Sequence, residues 1–149
     1  MLHSEVGKKM DFDKKAMAGL LNKALASEHQ ADLQYLTHAS VLQGINCEPV
    51  VARLKEIAGD EEKHAGMLRE RIAALGGEPT MAVAKTVFES DVQKVLRANL
   101  KGELEAIDLY RAIYKQVPRE EMLLEHSVRH ILMDELEHVE ELRTLLGER

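Results

Sequence analysis

The chain has 149 residues, room for one domain with a substantial core and too few for two. Hydrophobic residues make up 45%, aromatics only 3%, and Trp is absent, a balance that favours packed helices over sheets. A net charge of -6 argues against nucleic acid and anionic membranes as partners, and the single Cys47 excludes an internal disulfide. No apolar run nears the roughly 20 residues that span a bilayer, and the N-terminus lacks a secretory pattern, so the cytoplasm is expected.

Residues 1–10 are polar and unpatterned and read as a flexible tail. Asp11 or Asp13 can cap a first helix over 11–44, with the stripe Leu21, Leu25, Ala31, Tyr35 and Leu42. Pro49 suits the first turn of a second helix, 49–75, striped by Leu54, Ile57, Ala58, Ala65, Leu68 and Ile72. Gly76-Gly77 and Pro79 stop it, and 76–89 is a connection. Ser90 can cap a third helix, 90–117, carrying Leu96, Leu100, Ala106, Ile107, Tyr110 and Ile113. Pro118 opens a fourth, 118–146, carrying Val128, Ile131, Leu132, Val139 and Leu142, with Gly147 as its stop. Four long helices in one domain predict an all-α bundle.

What interrupts the stripes carries the chemistry. Glu28 lies seven residues after Leu21 and seven before Tyr35, which is about two helical turns, so all three share a face. Glu61, Glu103 and Glu135 sit in their stripes in the same way. Each helix therefore aims one carboxylate at the core. Four carboxylates at one height would repel strongly, and two divalent cations would balance them. The spacing sets the height. Glu28 and Glu61 are 33 apart with their midpoint at Gly44-Ile45, and Glu103 and Glu135 are 32 apart with theirs at Arg119. Hairpins bent there bring each pair level. His64 follows Glu61 by three residues and His138 follows Glu135 by three, so each Glu and His can bind one metal together. Asp60-Glu61-Glu62-Lys63-His64 parallels Asp134-Glu135-Leu136-Glu137-His138, an internal duplication with a pseudo-twofold axis.

At these residues the chain resembles the bacterioferritins, within the ferritin-like di-iron carboxylate family. The segments are Glu28–His38, Asp60–Ala65, Leu96–Glu105 and Asp134–His138, with Leu75-Gly76-Gly77-Glu78-Pro79 between. The likeness covers roughly residues 12–146. It implies a ferritin-like four-helix bundle of two antiparallel hairpins joined by a long crossover. It implies two irons per chain on Glu28, Glu61, His64, Glu103, Glu135 and His138, with Glu61 and Glu135 bridging. It implies oxidation of Fe(II) by O2 or peroxide there, with Tyr35 as an electron donor near the site. The family's haem-ligating methionine falls at Glu62, which argues against haem. Its inner-surface histidine falls at Glu56, with Asp60 retained. The chain ends eleven residues after His138, short of the family's fifth helix. A homo-oligomer of at least two chains is expected, and a 24-subunit cage is left open.

Three functions fit this pattern. The first is a ferroxidase for iron storage or detoxification. The second is a dimanganese catalase or another di-metal oxidase on the same scaffold, since carboxylates and imidazoles do not separate iron from manganese. The third is a non-catalytic structural bundle. The remaining polar residues read more plainly. His38, His126 and His130 are read as partly buried, hydrogen-bonded histidines, Tyr110 and Tyr114 as core filler, and Glu137, Glu140 and Glu141 as a solvated face. Cys47 is read as inert.

Overall fold

A computed structural model of the chain describes residues 12–148, which form helices and loops with no strand among them. The expected tail and the Asp11 cap lie outside the described residues. The helices are α1 (Lys14–Val41), α2 (Glu48–Ala74), α3 (Val92–Tyr114) and α4 (Met122–Leu146).

Local chemistry explains where each begins and ends. Asp13 caps α1 by accepting from the Ala16 N–H at 2.9 Å. The helix stops at Val41 rather than at Gly44, because Leu42 is already extended and Gly44, at φ 123°, turns the chain. Pro49 occupies the first turn of α2, where its missing N–H costs nothing. At the other end Gly76 takes φ +80°, and the Gly76 and Gly77 N–H groups close back onto Ala73 O and Ile72 O. A Cβ on Gly77 would stand 2.9 Å from that of Ala18, so the exit passes too close to α1 for any side chain. The cap of α3 is Asp91, not Ser90. Its carboxylate reaches the Lys94 N–H at 3.1 Å, the N3 position a capping oxygen needs. Pro118 does not open α4. It disfavours helix in the residue before it, so α3 ends early, and it begins a turn closed by the Glu121 N–H to Pro118 O at 3.1 Å.

The helices pack as a square. α1 and α2 form one hairpin and α3 and α4 the other, while α1 also lies against α3 and α2 against α4; the backbones of the diagonal pairs stay farther apart among the described residues. The crossover from α2 to α3 runs down α1. Asn22 bonds Glu78 O and the Thr80 N–H, Ala84 N–H donates to Ala26 O, and Val87 N–H donates to Gln34 Oε1. α3 therefore starts at the end where α1 finishes.

The apolar core is split in two. One cluster holds Met17, Leu21, Leu68, Ile72, Ile113 and Val128. The other, at the opposite end, holds Leu54, Ile57, Val95, Leu96 and Leu142. Each fully buried Leu or Ile contributes about 1.5–3 kcal/mol, which lets two such clusters offset a costly polar layer between them.

Candidate metal centre

That polar layer is built by Glu28, Glu61, His64, Glu103, Glu135 and His138, all between 1% and 3% exposed. Their placement follows from the stripes, since each glutamate sits on the inward face of its helix between two buried apolar residues. The six side chains form two sets of potential donors. Glu28, Glu61, His64 and Glu135 make one, and Glu61, Glu103, Glu135 and His138 the other; within each set the ligand atoms lie within 4.8 Å of one another. Glu61 and Glu135 belong to both.

The imidazoles aim their Nδ1 atoms into this layer. His64 Nδ1 lies 3.0 Å from Glu135 Oε1 and 3.7 Å from Glu28 Oε1, and His138 Nδ1 lies 3.1 Å from Glu61 Oε1 and 3.3 Å from Glu103 Oε1. These contacts are close but lack hydrogen-bond direction. One buried atom on each of the six residues is left without a hydrogen-bond partner: Glu28 Oε2, Glu61 Oε1, His64 Nδ1, Glu103 Oε2, Glu135 Oε1 and His138 Nδ1. A buried unpaired polar atom costs about 1–3 kcal/mol, so six converging ones demand a common partner. Oxygen and imidazole donors with a formal charge of four carboxylates suit two divalent cations of the iron or manganese type.

Around the layer, each hairpin holds the other. His64 Nε2–H donates to Asp134 Oδ2 (2.8 Å), and His138 Nε2–H donates to Asp60 Oδ2 (2.9 Å). A carboxylate can only accept, so Nε2 carries a proton in either charge state, and Nδ1 faces inward, where loss of its own proton would free it as a metal ligand. The tyrosines cross in the same way. Tyr35 donates to Glu103 Oε1 (2.7 Å) and Tyr110 to Glu28 Oε1 (2.5 Å). Tyr110 is thus more than core filler, and the role of the two aspartates was invisible in the spacing alone. The signals were present as repeats: a tyrosine seven residues after Glu28 and after Glu103, and an aspartate before Glu61 and before Glu135.

Burial and the neighbouring carboxylates push the Glu61 and Glu135 carboxyls well above the usual range. Glu103 moves the other way: burial opposes ionisation, but His138, Glu135 and Tyr35 together outweigh it and lower it. Burial alone would depress His64, yet its contacts with Glu135 and Glu28 raise it to about 11. His138 rises likewise to about 9, its burial outweighed by Glu103, Glu135 and Asp60. Burial and the adjacent glutamates raise both Tyr35 and Tyr110 well above 10. Taken without a cation, the layer therefore retains protons that a cation must displace.

The other singled-out residues separate. His38 is buried and hydrogen-bonded, its Nε2 accepting from the Glu89 N–H at 3.1 Å and its Nδ1 3.0 Å from Asn99 Nδ2. His126 and His130 are not buried; they are exposed on α4, their rings stacked 6.2 Å apart. Tyr114 is exposed too and donates to Glu125, so it is not core. Cys47 is buried, with its thiol donating to Gln43 O. Glu62 is exposed on α2. No described helix is long and apolar enough to cross a membrane.

A family profile described as a ferritin-like domain matches residues 18–149. The bacterioferritin of Desulfovibrio desulfuricans is 35% identical over 105 residues, which is 69% of this chain and 59% of that protein's length. The bacterioferritin of Streptomyces coelicolor is 30% identical over 128 residues, covering 85% of this chain and 77% of the relative. A ferritin-like di-iron carboxylate protein of Bacillus anthracis superposes with a TM-score of 0.85 at 31% identity, over 92% of this chain and 99% of the other. By profile, identity and fold alike, this chain belongs to the ferritin-like family, with the bacterioferritins and their di-iron relatives.

Proposed function

We propose that the chain is a ferroxidase. Two Fe(II) bind at the buried layer as substrate, each gives one electron to O2, and two protons complete hydrogen peroxide, leaving two Fe(III). The observation that carries this reading is the set of six unpartnered buried atoms, one on each expected ligand and two residues common to both sets. Four carboxylates carry a charge of about -4 when ionised, which two Fe(II) neutralise, so binding removes the repulsion that raises Glu61 and Glu135.

In this reading Glu28 with His64, and Glu103 with His138, each hold one iron, and Glu61 and Glu135 span both. Asp134 and Asp60 fix the imidazoles with Nδ1 inward. Tyr110 and Tyr35 steady the terminal carboxylates, and we assign Tyr35, beside Glu103, a further one-electron step in which its phenol reduces one Fe(III) back to Fe(II) and releases its proton. The two apolar clusters shield the layer from bulk water, which strengthens its electrostatics. Iron storage or detoxification in the cytoplasm is the cellular role we assign. Leu33, Leu36, Val87 and Phe88, exposed on α1 and the crossover beside it, support a homo-oligomer that covers this face.

Anaerobic Fe(II) titration followed by mixing with O2 tests the reading through ferric absorbance. The expected result is a fast phase that saturates at two Fe(II) per chain. A further slow phase that scales with added iron would place the chain in mineral storage. Absence of a fast phase at every ratio would sink the ferroxidase and leave manganese chemistry or a structural bundle.

A further inference from the structure

Of the histidines in residues 12–148, four are tied down by hydrogen bonds. His29 donates to Ala82 O and accepts from Arg69, His38 accepts from the Glu89 N–H, and His64 and His138 bond Asp134 and Asp60. His126 and His130 differ. Both are exposed on α4, four residues apart and so on one face, with ring centroids 6.2 Å apart and ring planes within 28° of parallel. Among the described residues neither ring has a hydrogen-bond partner. Asp134, one turn further on, brings its Oδ2 to 3.4 Å from His130 Nε2.

The internal duplication does not call for this arrangement. It pairs His126 with Ala52 and His130 with Glu56, each 74 residues apart, as it pairs Asp134 with Asp60. On α2 the equivalent glutamate is taken up by an ion pair, Arg53 to Glu56 at 2.9 Å. On α4 the cation between the two histidines in sequence, Arg129, is held by Glu125 at 2.9 Å, which offsets its charge beside the rings.

We propose that His126, His130 and Asp134 bind one divalent cation of the zinc type on the exposed face of α4, separate from the buried six-residue layer. Imidazoles at i and i+4 on a helix converge on an ion lying over the turn between them. Two donors on one tetrahedral ion, each about 2.1 Å from it, stand about 3.4 Å apart, and His130 Nε2 and Asp134 Oδ2 are already at 3.4 Å. Asp134 keeps its bond from His64 at the same time, because a carboxylate has two oxygens and about four lone pairs. His126 joins by side-chain rotation at an exposed position, and water takes the fourth place. The buried layer offers one imidazole to each donor set, whereas this site offers two to one ion. That softer set prefers zinc, nickel or copper to iron(II) and manganese(II), and it discriminates against magnesium. The site rests on exposed residues and does not depend on the di-iron reading.

Zinc alone is the probe. Native chain is dialysed against Zn(II) with magnesium in excess, and bound zinc is counted per chain. His126→Asn and His130→Asn are treated alike, and Glu61→Ala reports the buried layer. Each histidine variant should weaken one zinc by at least about tenfold and so lower the count by one at limiting zinc. Its metal-free thermal melt should match that of the native chain, since both side chains are exposed. Glu61→Ala should keep this zinc. Crystals of the native chain soaked in Zn(II) should give an anomalous zinc peak between the two imidazoles. Equal counts in the native chain and both histidine variants, or zinc peaks confined to the buried layer, overturn the site and leave the di-iron reading standing. If the histidine variants lose their zinc while the native chain binds no iron pair, the di-iron reading fails and this site stands.

Discussion

Glu28 and Tyr35 in the α1–α2 hairpin correspond to Glu103 and Tyr110 in the α3–α4 hairpin, and Asp60, Glu61 and His64 correspond to Asp134, Glu135 and His138. Inward, the two sets behave alike, each tyrosine and each aspartate bonding the opposite hairpin. Outward they diverge. Asp60 is 43% exposed, whereas Asp134 is 26% exposed and lies 3.4 Å from His130. Only the first hairpin carries the crossover, and only the side where the crossover ends has the Gln34–Asn99–His38 network. In the proposed di-iron reading, two metal positions with equal demands call for equal donors. Nothing imposes equality on surfaces that meet different neighbours.

The largest test of inner equality is loss of a glutamate common to both donor sets. Glu61→Ala and Glu135→Ala should each lower iron stoichiometry below two and slow oxidation by more than about a hundredfold, beyond the 10–100-fold typical of supporting partners. If only one of them does so, the two positions are not equivalent. Asp134→Asn and Asp60→Asn come next. Each should weaken metal binding by about 10–100-fold in a competition titration, and Asp134→Asn more, because its carboxylate is the less hydrated. A larger effect at Asp60 would reverse the proposed asymmetry.

Tyr35→Phe and Tyr110→Phe should each cost about 1.5–3 kcal/mol in chemical denaturation, the range for a hydrogen bond to a charged group. Similar losses are expected from both, while only Tyr35→Phe should alter the oxidation kinetics.

The smallest effect is the pH dependence of the chelator-treated protein. His64 and His138 titrate higher in the fold, at about 11 and about 9, than the ordinary 6.5. The stability they contribute is therefore complete below pH 6.5 and is lost as pH rises toward 9 and beyond. The raised Glu61 and Glu135 act in the same sense. Each extra proton held by the fold gives a decline of about 1.4 kcal/mol per pH unit. Loading with metal should remove this decline, because the cation displaces those protons. Thermal melts at pH 6.5 and 8.5, with and without chelator, read it directly.

Much of the site was legible from spacing. A glutamate seven residues from apolar neighbours on both sides has to face the core, and hairpins bent midway between paired glutamates have to bring them level. Helix ends were less legible. Ser90 and Asp91 are both good caps, and only the path of the crossover decides which side chain reaches the Lys94 N–H. Pro118 is equally at home at a helix start or in a turn, and the bend between α3 and α4 selected the turn.

The sequence by itself determined the all-α class, the four inward carboxylates, the two Glu-x-x-His pairs and the family, because periodicity within a helix dictates which residues share a face. Tertiary structure alone decided which residues meet across helices. Tyr110 finds Glu28, Asp134 finds His64, and Gln34 finds Asn99 under the crossover. A helical repeat specifies direction around one axis. The partner at the far end of a side chain depends on the offset and rotation of a second axis, and packing sets those.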